Sequence, residues 1–348
     1  MMIRRIVRRA LRPIRRGRRR REAMRGIRSD VPIPFDMFEA VRDVKGMKSA
    51  RKLANIYHKG QRKIWDGKEV LPSLIEKHGG VNLAPEKAEA IRALFAVILW
   101  GELAAWKISA DLALQLEPLE AKLAATSQTH DEARHFYTMA DYLELTGDVP
   151  DTLPPHTRRV LETVLEADSL VKKLVGMQLM VEPMAITLFQ LVREYQLEPV
   201  LCDLLELYER DEARHVALGV LHLPKLLEGM TRAEALDLWL WEFRVYWAQI
   251  DMLHELEPHF NTLGIDARKV VELGRQKQIR ANQMLMEELG YDIQVLEVFM
   301  RFFDAKARWH WPDEAKAEDR LGRLREALNT LMAPLDEGVP TDLSNVAA

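Results

Sequence analysis

The pentapeptide Asp-Glu-Ala-Arg-His stands at residues 131–135 and again, letter for letter, at 211–215. The surroundings repeat as well. Glu102 lies thirty residues before Glu132, and Glu182 lies thirty before Glu212. Between the members of each pair is a similar turn signal, QLEPLE at 115–120 and QLEPVL at 196–201. The midpoints of the pairs, residues 117 and 197, fall on those turns, close to Pro118 and Pro199. Helices joined by a tight turn run antiparallel, so residues equidistant from the turn lie side by side. Fifteen residues at about 1.5 Å each put both members of a pair at one height, about 22 Å from the turn.

Within each pentapeptide the glutamate and the histidine are three residues apart, which places them on one helical face. Each predicted hairpin therefore offers two carboxylates and one imidazole at one level. Two hairpins packed as a four-helix bundle would bring four carboxylates and two imidazoles to a common centre. Buried carboxylates in that number need strong compensation, and two metal ions would supply it. Mixed oxygen and nitrogen donors suit iron or manganese better than soft metals. A glutamate from each of two helices with Glu-x-x-His from the other two is the ligand set of di-iron carboxylate bundles. The plainer reading of one such motif is a solvated helix face with salt bridges. The apolar flanks AVILWGELAAW and LVGMQLMVEPMAITLF argue against it, because a lone carboxylate in such a helix is costly unless partnered.

The rest of the chain supports an all-α fold. Apolar residues make up 48% and charged residues 30%, the balance of a globular chain with a real core. Helical patterns run over about 36–66, 68–78, 85–115, 119–146, 155–197 (with a break near Gly176), 200–228, 232–257, 266–289 and 291–309, and no run alternates as a strand would. The chain divides into a basic arm at 1–30, N-terminal helices and a linker at 31–84, a bundle at 85–230, further helices at 231–311, and a charged helix and tail at 312–348. Residues 1–28 hold thirteen arginines and one glutamate, a charge of +12, which leaves −15 for the remainder of a chain whose net charge is −3. Ile3, Ile6, Val7, Leu11 and Ile14 would line one face of a short basic helix that Pro13 and Gly17 disturb. A solvated arm is the plain reading of this segment; an anchor for an anionic membrane surface or an acidic partner is the sharper one. It lacks the aromatic residues that single-stranded nucleic acid stacks on. No stretch reads as a 20-residue apolar span. One cysteine, Cys202, permits no internal disulfide and points to a reducing compartment such as the cytosol.

With these residues in view, the chain resembles the ferritin-like superfamily. The closest resemblance is to the branch of ribonucleotide reductase small subunits and bacterial multicomponent monooxygenase hydroxylases, the latter carrying Asp-Glu-x-Arg-His twice. The resemblance spans about residues 95–220 and implies a ferritin-like four-helix bundle with additional N- and C-terminal helices. It implies metal ligation by Glu102, Glu132, His135, Glu182, Glu212 and His215. Asp131 and Asp211 would hold the imidazole N–H groups, and Arg134 and Arg214 would balance those aspartates. The implied cofactor is two iron ions, or one manganese and one iron, with O₂ as co-substrate. The implied reaction is oxidation of an apolar organic substrate by hydroxylation, desaturation or dehydrogenation. Electrons would come from a separate reductase or ferredoxin, since a lone cysteine ligates no iron–sulfur cluster. A homodimer is expected.

Departures from the family pattern bear on the alternatives. Radical-bearing ribonucleotide reductase small subunits place a tyrosine four residues after the first-motif histidine, where this chain has Met139. Tyr208, one turn before Glu212, stands where di-iron N-oxygenases add a histidine; it is expected either near the metals or packed in the core. Tyr137 also lies near the ligands in sequence. Pro183, directly after Glu182, removes a backbone hydrogen bond and predicts a kink or a local loosening of the helix. His130 is expected to be exposed, and His222, His254, His259 and His310 lack matched partners. The run LWLWEFRVYW at 238–247 predicts core packing, with a substrate channel or dimer face as the alternative. Other functions to be weighed are a ferroxidase or iron-handling protein, a radical-generating subunit, and a non-catalytic interaction protein anchored by the arm.

Overall fold

The structure, a computed structural model, describes residues 51–289, 294–312 and 319–332. The basic arm, the first part of the helix expected at 36–66, and the tail from 333 onward lie outside the described residues. Among the described residues every regular element is helical: α1 (Arg51–Arg62), α2 (Gly67–His78), α3 (Pro85–Gln115), α4 (Leu119–Glu144), α5 (Pro155–Leu165), α6 (Leu170–Leu174), a π-helical stretch (Val175–Val181), α7 (Glu182–Glu194), α8 (Pro199–Leu227), α9 (Arg232–Thr262), α10 (Ala267–Leu289), α11 (Gln294–His310) and α12 (Arg320–Met332).

The architecture is all-α and ferritin-like. Helices α3 and α4 form one hairpin, and the α6–π–α7 unit with α8 forms the second. The connection carrying α5 crosses from one hairpin to the other, as in bundles with one long crossover. Helices α1 and α2 lie across α4 and α8, while α9 covers α3 and α5 and is flanked by α10 and α11. Local chemistry fixes the ends. Asp66 caps α2 by accepting from the Lys68 amide at 2.8 Å, and Gly79 closes it in the left-handed conformation, φ 74°. Pro85 occupies the first turn of α3, where its missing N–H costs nothing, with Glu86 beside it. Glu198, buried, caps α8 through the amides of Val200 and Leu201. Thr231 and Glu234 form a reciprocal capping box on α9.

Three differences from the sequence reading have physical causes. The pattern over 155–197 is interrupted twice: it breaks at 166–169, earlier than expected, where Ser169 caps a new start by accepting from the Lys172 amide, and near Gly176, the expected place, it turns π-helical without breaking. Helix α9 continues through Pro258 to Thr262, because Phe260 (2% exposed) and Leu263 (5%) extend its apolar stripe into the core. And two units, Pro85–Gln115 and Leu170–Glu194, are long and apolar enough by length and composition to cross a membrane, each with a mean hydropathy of 1.4 over 18 residues. The same apolar residues form the core of the bundle, in which Ile91, Leu94, Phe95, Met177 and Leu179 are fully enclosed.

Candidate metal centre

Each helix of the bundle contributes at one level. Glu102 comes from α3, Glu132 and His135 from α4, Glu182 from the first residue of α7, and Glu212 and His215 from α8. All six side chains are buried, none more than 5% exposed. They fall into two overlapping sets of donor atoms, Glu102, Glu132, His135 and Glu212 in one, Glu132, Glu182, Glu212 and His215 in the other, with all atoms of a set within 4.8 Å of one another.

The two motif glutamates belong to both sets, and their oxygens are divided between them. Glu132 turns Oε2 toward His135 Nδ1 (3.5 Å) and Oε1 toward His215 Nδ1 (3.1 Å). Glu212 turns Oε1 toward His135 Nδ1 (3.1 Å) and Oε2 toward His215 Nδ1 (2.6 Å). Glu102 completes the first set at 3.3 Å from His135, and Glu182 the second at 3.7 Å from His215. Nitrogen and oxygen ligands sit about 2 Å from a transition metal, so neighbouring donors on one ion are about 3 Å apart, the spacing seen here. Glu132 Oε2 and Glu212 Oε1 are buried without a hydrogen bond, although both belong to the set around His135. Buried carboxylate oxygens are rarely left so, and a cation at that point would satisfy both. The residues therefore fit two metal ions: Glu132 and Glu212 would serve both, and Glu102 and Glu182 one each.

The outer frame is crossed between the motifs. Asp211 of the second motif faces Nε2 of the first-motif His135 at 3.4 Å, and Asp131 of the first faces Nε2 of the second-motif His215 at 3.4 Å. Arg134 donates to Asp131 (2.6 Å) and Asp211 (2.7 Å), and Arg214 donates to Asp211 (2.8 Å) and Asp131 (2.7 Å). Two arginines and two aspartates thus close a ring of charge-assisted bonds that orients both imidazoles. Burial pushes Asp131 up, but His215 and Arg214 outweigh it and hold the carboxyl at about 2. Asp211 is likewise held below its ordinary range by His135 and Arg214 against burial.

Electrostatics of the cluster point the same way. Burial drives Glu102 and Glu182 well above the carboxylate range, and the charges of Glu212 and Glu132 add to the effect. Burial also acts on Glu132 and Glu212, but the imidazoles outweigh it, depressing Glu132 and holding Glu212 at about 2. Both histidines are raised well above their ordinary value, the surrounding carboxylates overcoming burial. Among these side chains alone, protons carry the positive charge that the carboxylates require. Divalent cations would displace those protons, as metal sites of deprotonated ligands do.

Three residues of the centre went unnoticed in the sequence. Gln128, one turn before Glu132, donates Nε2 to Glu132 Oε1 (2.9 Å) and Glu182 Oε1 (3.0 Å), and Gln178 of the π-helical stretch donates to Gln128 Oε1 (2.9 Å). Trp65, between α1 and α2, donates Nε1 to Asp211 Oδ2 at 2.8 Å and lies under the Arg134 guanidinium. The i−4 spacing of Gln128 was a usable signal; Trp65, 146 residues from Asp211, offered none. Tyr208 packs its ring on His135, centroids 4.1 Å apart, and donates its hydroxyl to the His135 carbonyl at 2.6 Å rather than to a carboxylate. Met139 is fully buried, Tyr137 bonds Asp66 and the Gly67 amide away from the centre, and His130 is exposed. Pro183 follows the π-helical stretch, across which the Glu182 amide bonds the Met177 carbonyl five residues back.

Glu102 and Glu182 also stand in the wall of an apolar cavity of about 80 Å³, bounded by Leu94, Ile98, Leu161, Met177, Leu188 and Leu253 among others. The aromatic run at 238–247 does not line it. Leu238, Trp241, Val245 and Tyr246 of that run are core, Leu240 and Trp247 are exposed, and the α9 residues of the cavity begin at Gln249.

No protein-family model matches the chain, and no curated protein matches it. Solved structures similar in chain course include an R2-like ligand-binding oxidase variant with an aerobically reconstituted Mn/Fe cofactor: 19% identity, TM-score 0.45, 69% of this chain and 93% of that one. Another is an R2-like ligand-binding oxidase with an aerobically reconstituted metal cofactor after photoconversion, at 20% identity and TM-score 0.43, over 74% of this chain and 92% of that one. At that level the likeness concerns the path of the chain, and the chemistry of the centre rests on its own side chains.

Proposed function

We propose that this chain is a dinuclear metal oxidase or oxygenase that uses O₂ to oxidise an apolar organic substrate. The supporting observation is the division of the Glu132 and Glu212 oxygens between His135 and His215, beside an apolar cavity that reaches Glu102 and Glu182. Two iron ions, or one manganese and one iron, would supply reduction of O₂ and the oxidising power passed to the substrate. The protein's part is to hold and shield. Glu132 and Glu212 would hold both ions, and Asp131 and Asp211 fix the imidazoles through Nε2 so that Nδ1 faces the centre. Gln128 holds Glu182 from one side, and the apolar wall excludes water from the other. That enclosed, apolar approach favours oxidation of a carbon substrate over the passage of iron as cargo.

Electrons come from a separate reductase or ferredoxin in this reading, and the one cysteine, buried Cys202, is in keeping with the cytosol. Leu236, Leu240 and Trp247, exposed along α9, offer a face for a second copy, and the arm at 1–28 a contact with an anionic membrane surface or an acidic partner. The test is metal analysis of protein purified with iron, manganese or both, followed by oxygen uptake after chemical reduction. About two ions per chain and uptake that Glu132→Ala abolishes are expected. Metal content near zero under every condition overturns the reading.

A further inference from the structure

The cavity beside the metal centre has a direction. Its lining runs along α3 from Leu94 to Ala105 and along α9 from Gln249 to Phe260, eleven helical steps on each, or about 16 Å of helix. Gln249 marks the metal end, because its Nε2 donates to the carbonyl of Met180, two residues before Glu182, at 3.0 Å. The start of α5 marks a point farther along, because the His156 amide donates to Glu255 Oε2 at 3.1 Å. Thr157, the next residue, lines the cavity there, about 9 Å along α9 from the level of Gln249.

The Thr157 side chain is fully enclosed, yet its Oγ1 has no hydrogen-bond partner. Thr126, Thr129, Thr163, Thr187 and Thr262 turn the hydroxyl back on the carbonyl four residues earlier, whereas Thr157, like Thr138 within α4, does not. Thr157 sits in the first turn of α5, where the residue four back, Leu153, precedes the helix. Its hydroxyl is thus a buried donor without a partner, on a residue that lines the cavity. No cation lines the cavity, and its two charged groups are Glu102 and Glu182, so a negatively charged head at the Thr157 end would have the first turn of α5 but no cationic side chain to offset its burial.

We propose that the site takes an elongated, uncharged, mainly apolar molecule with one carbonyl or hydroxyl oxygen. That oxygen accepts from Thr157 Oγ1 and sets a carbon about 9 Å away beside Glu102 and Glu182. The purpose of this arrangement rests on the oxidase reading; the binding itself does not. Five to eight water-sized groups fill about 80 Å³ by this measure, which suits probes of about eight carbons.

The test is calorimetric titration of the full chain with octane, 2-octanone and octanoate, on chelator-treated protein and on iron-loaded protein. In both, 2-octanone should bind about tenfold tighter than octane, and octanoate more weakly than 2-octanone. Thr157→Val, which keeps the shape and removes the hydroxyl, should bring 2-octanone down to octane while octane holds within about twofold; Thr157→Ser should restore the preference. Equal binding of ketone and alkane by the wild-type chain, tightest binding of octanoate, or an undiminished preference in Thr157→Val overturns the proposal, as does absence of binding by all three. If the preference holds but no metal is bound and no oxygen consumed, the oxidase reading fails and this one stands; metal-dependent oxygen uptake without the preference gives the reverse.

Discussion

The two hairpins of the bundle carry the same pentapeptide and deliver the same ligand types, yet they are built differently. In the first, Glu102 sits within α3, a helix unbroken over 31 residues. In the second, the corresponding length is divided into α6, a π-helical stretch and α7, with Glu182 at the seam and Pro183 behind it. The residue one turn before each motif glutamate differs as well. Gln128 donates to Glu132 and Glu182, whereas its counterpart Tyr208 stacks on His135 and bonds a backbone carbonyl. The His215 side of the centre is thus lined by amides and the His135 side by Tyr208 and Trp65. A repeated motif sets which atoms meet and at what height; the turn before it sets what surrounds each set of donors.

The largest expected effect separates shared from unshared donors. Glu132→Ala or Glu212→Ala removes a donor common to both sets, so metal content should fall from about two ions per chain to near zero. Glu102→Ala or Glu182→Ala removes a donor from one set only and should leave about one ion. Helix content by circular dichroism should hold in all four. Equal losses in shared-donor and unshared-donor variants would erase the distinction drawn from the oxygen positions.

Next come the crossed aspartates. Because Asp211 holds His135 and Asp131 holds His215, Asp211→Asn should weaken the ion on the first-motif side and Asp131→Asn the ion on the second, each by about 10–100-fold. Competition titration with a chelator reads both affinities, and a loss confined to each aspartate's own motif would show the pairing to be uncrossed.

Gln128→Leu and Tyr208→Phe probe the difference between the two sides directly. The first removes a donor from Glu132 and Glu182 and should lower affinity on the His215 side about tenfold, leaving the other within a factor of two. The second removes one bond to a backbone carbonyl and should cost about 1 kcal/mol in denaturant unfolding with metal content unchanged. The reverse pattern would assign the polar influence to the tyrosine.

The outcome of these tests bears on how much was legible from the residues themselves. The hairpins, their turns and the meeting of six candidate ligands follow from a thirty-residue spacing about Pro118 and Pro199, because helical rise converts spacing into height without further information. The Asp–Arg ring was legible in residue type but not in its crossing, which depends on the rotation of α4 against α8. The break at 166–169 was hidden by an apolar pattern that continues through the π-helical stretch, and Trp65 by its distance along the chain. The cavity was hidden altogether: space is a property of what the neighbours leave unfilled.

Two glycines show that last point at the smallest scale and reverse the sign of the comparison. Gly219 on α8 lies against the π-helical stretch, where an added Cβ would stand 2.6 Å from Gln178 Cβ, an atom that cannot move without its helix. Gly219→Ala should therefore cost about 1–3 kcal/mol and disturb the amide relay to Glu182. Gly101, the neighbour of Glu102 in α3, meets nothing within 4 Å, because it faces the cavity. Gly101→Ala should stabilise the chain by about 0.5–1 kcal/mol through helix propensity, while its methyl group takes room from any ligand beside Glu102. Raised unfolding free energy together with weaker binding of an eight-carbon probe is the expected pair of results. Stabilisation without loss of binding would place the ligand away from the glutamate, and destabilisation would show that the space beside Gly101 is not open.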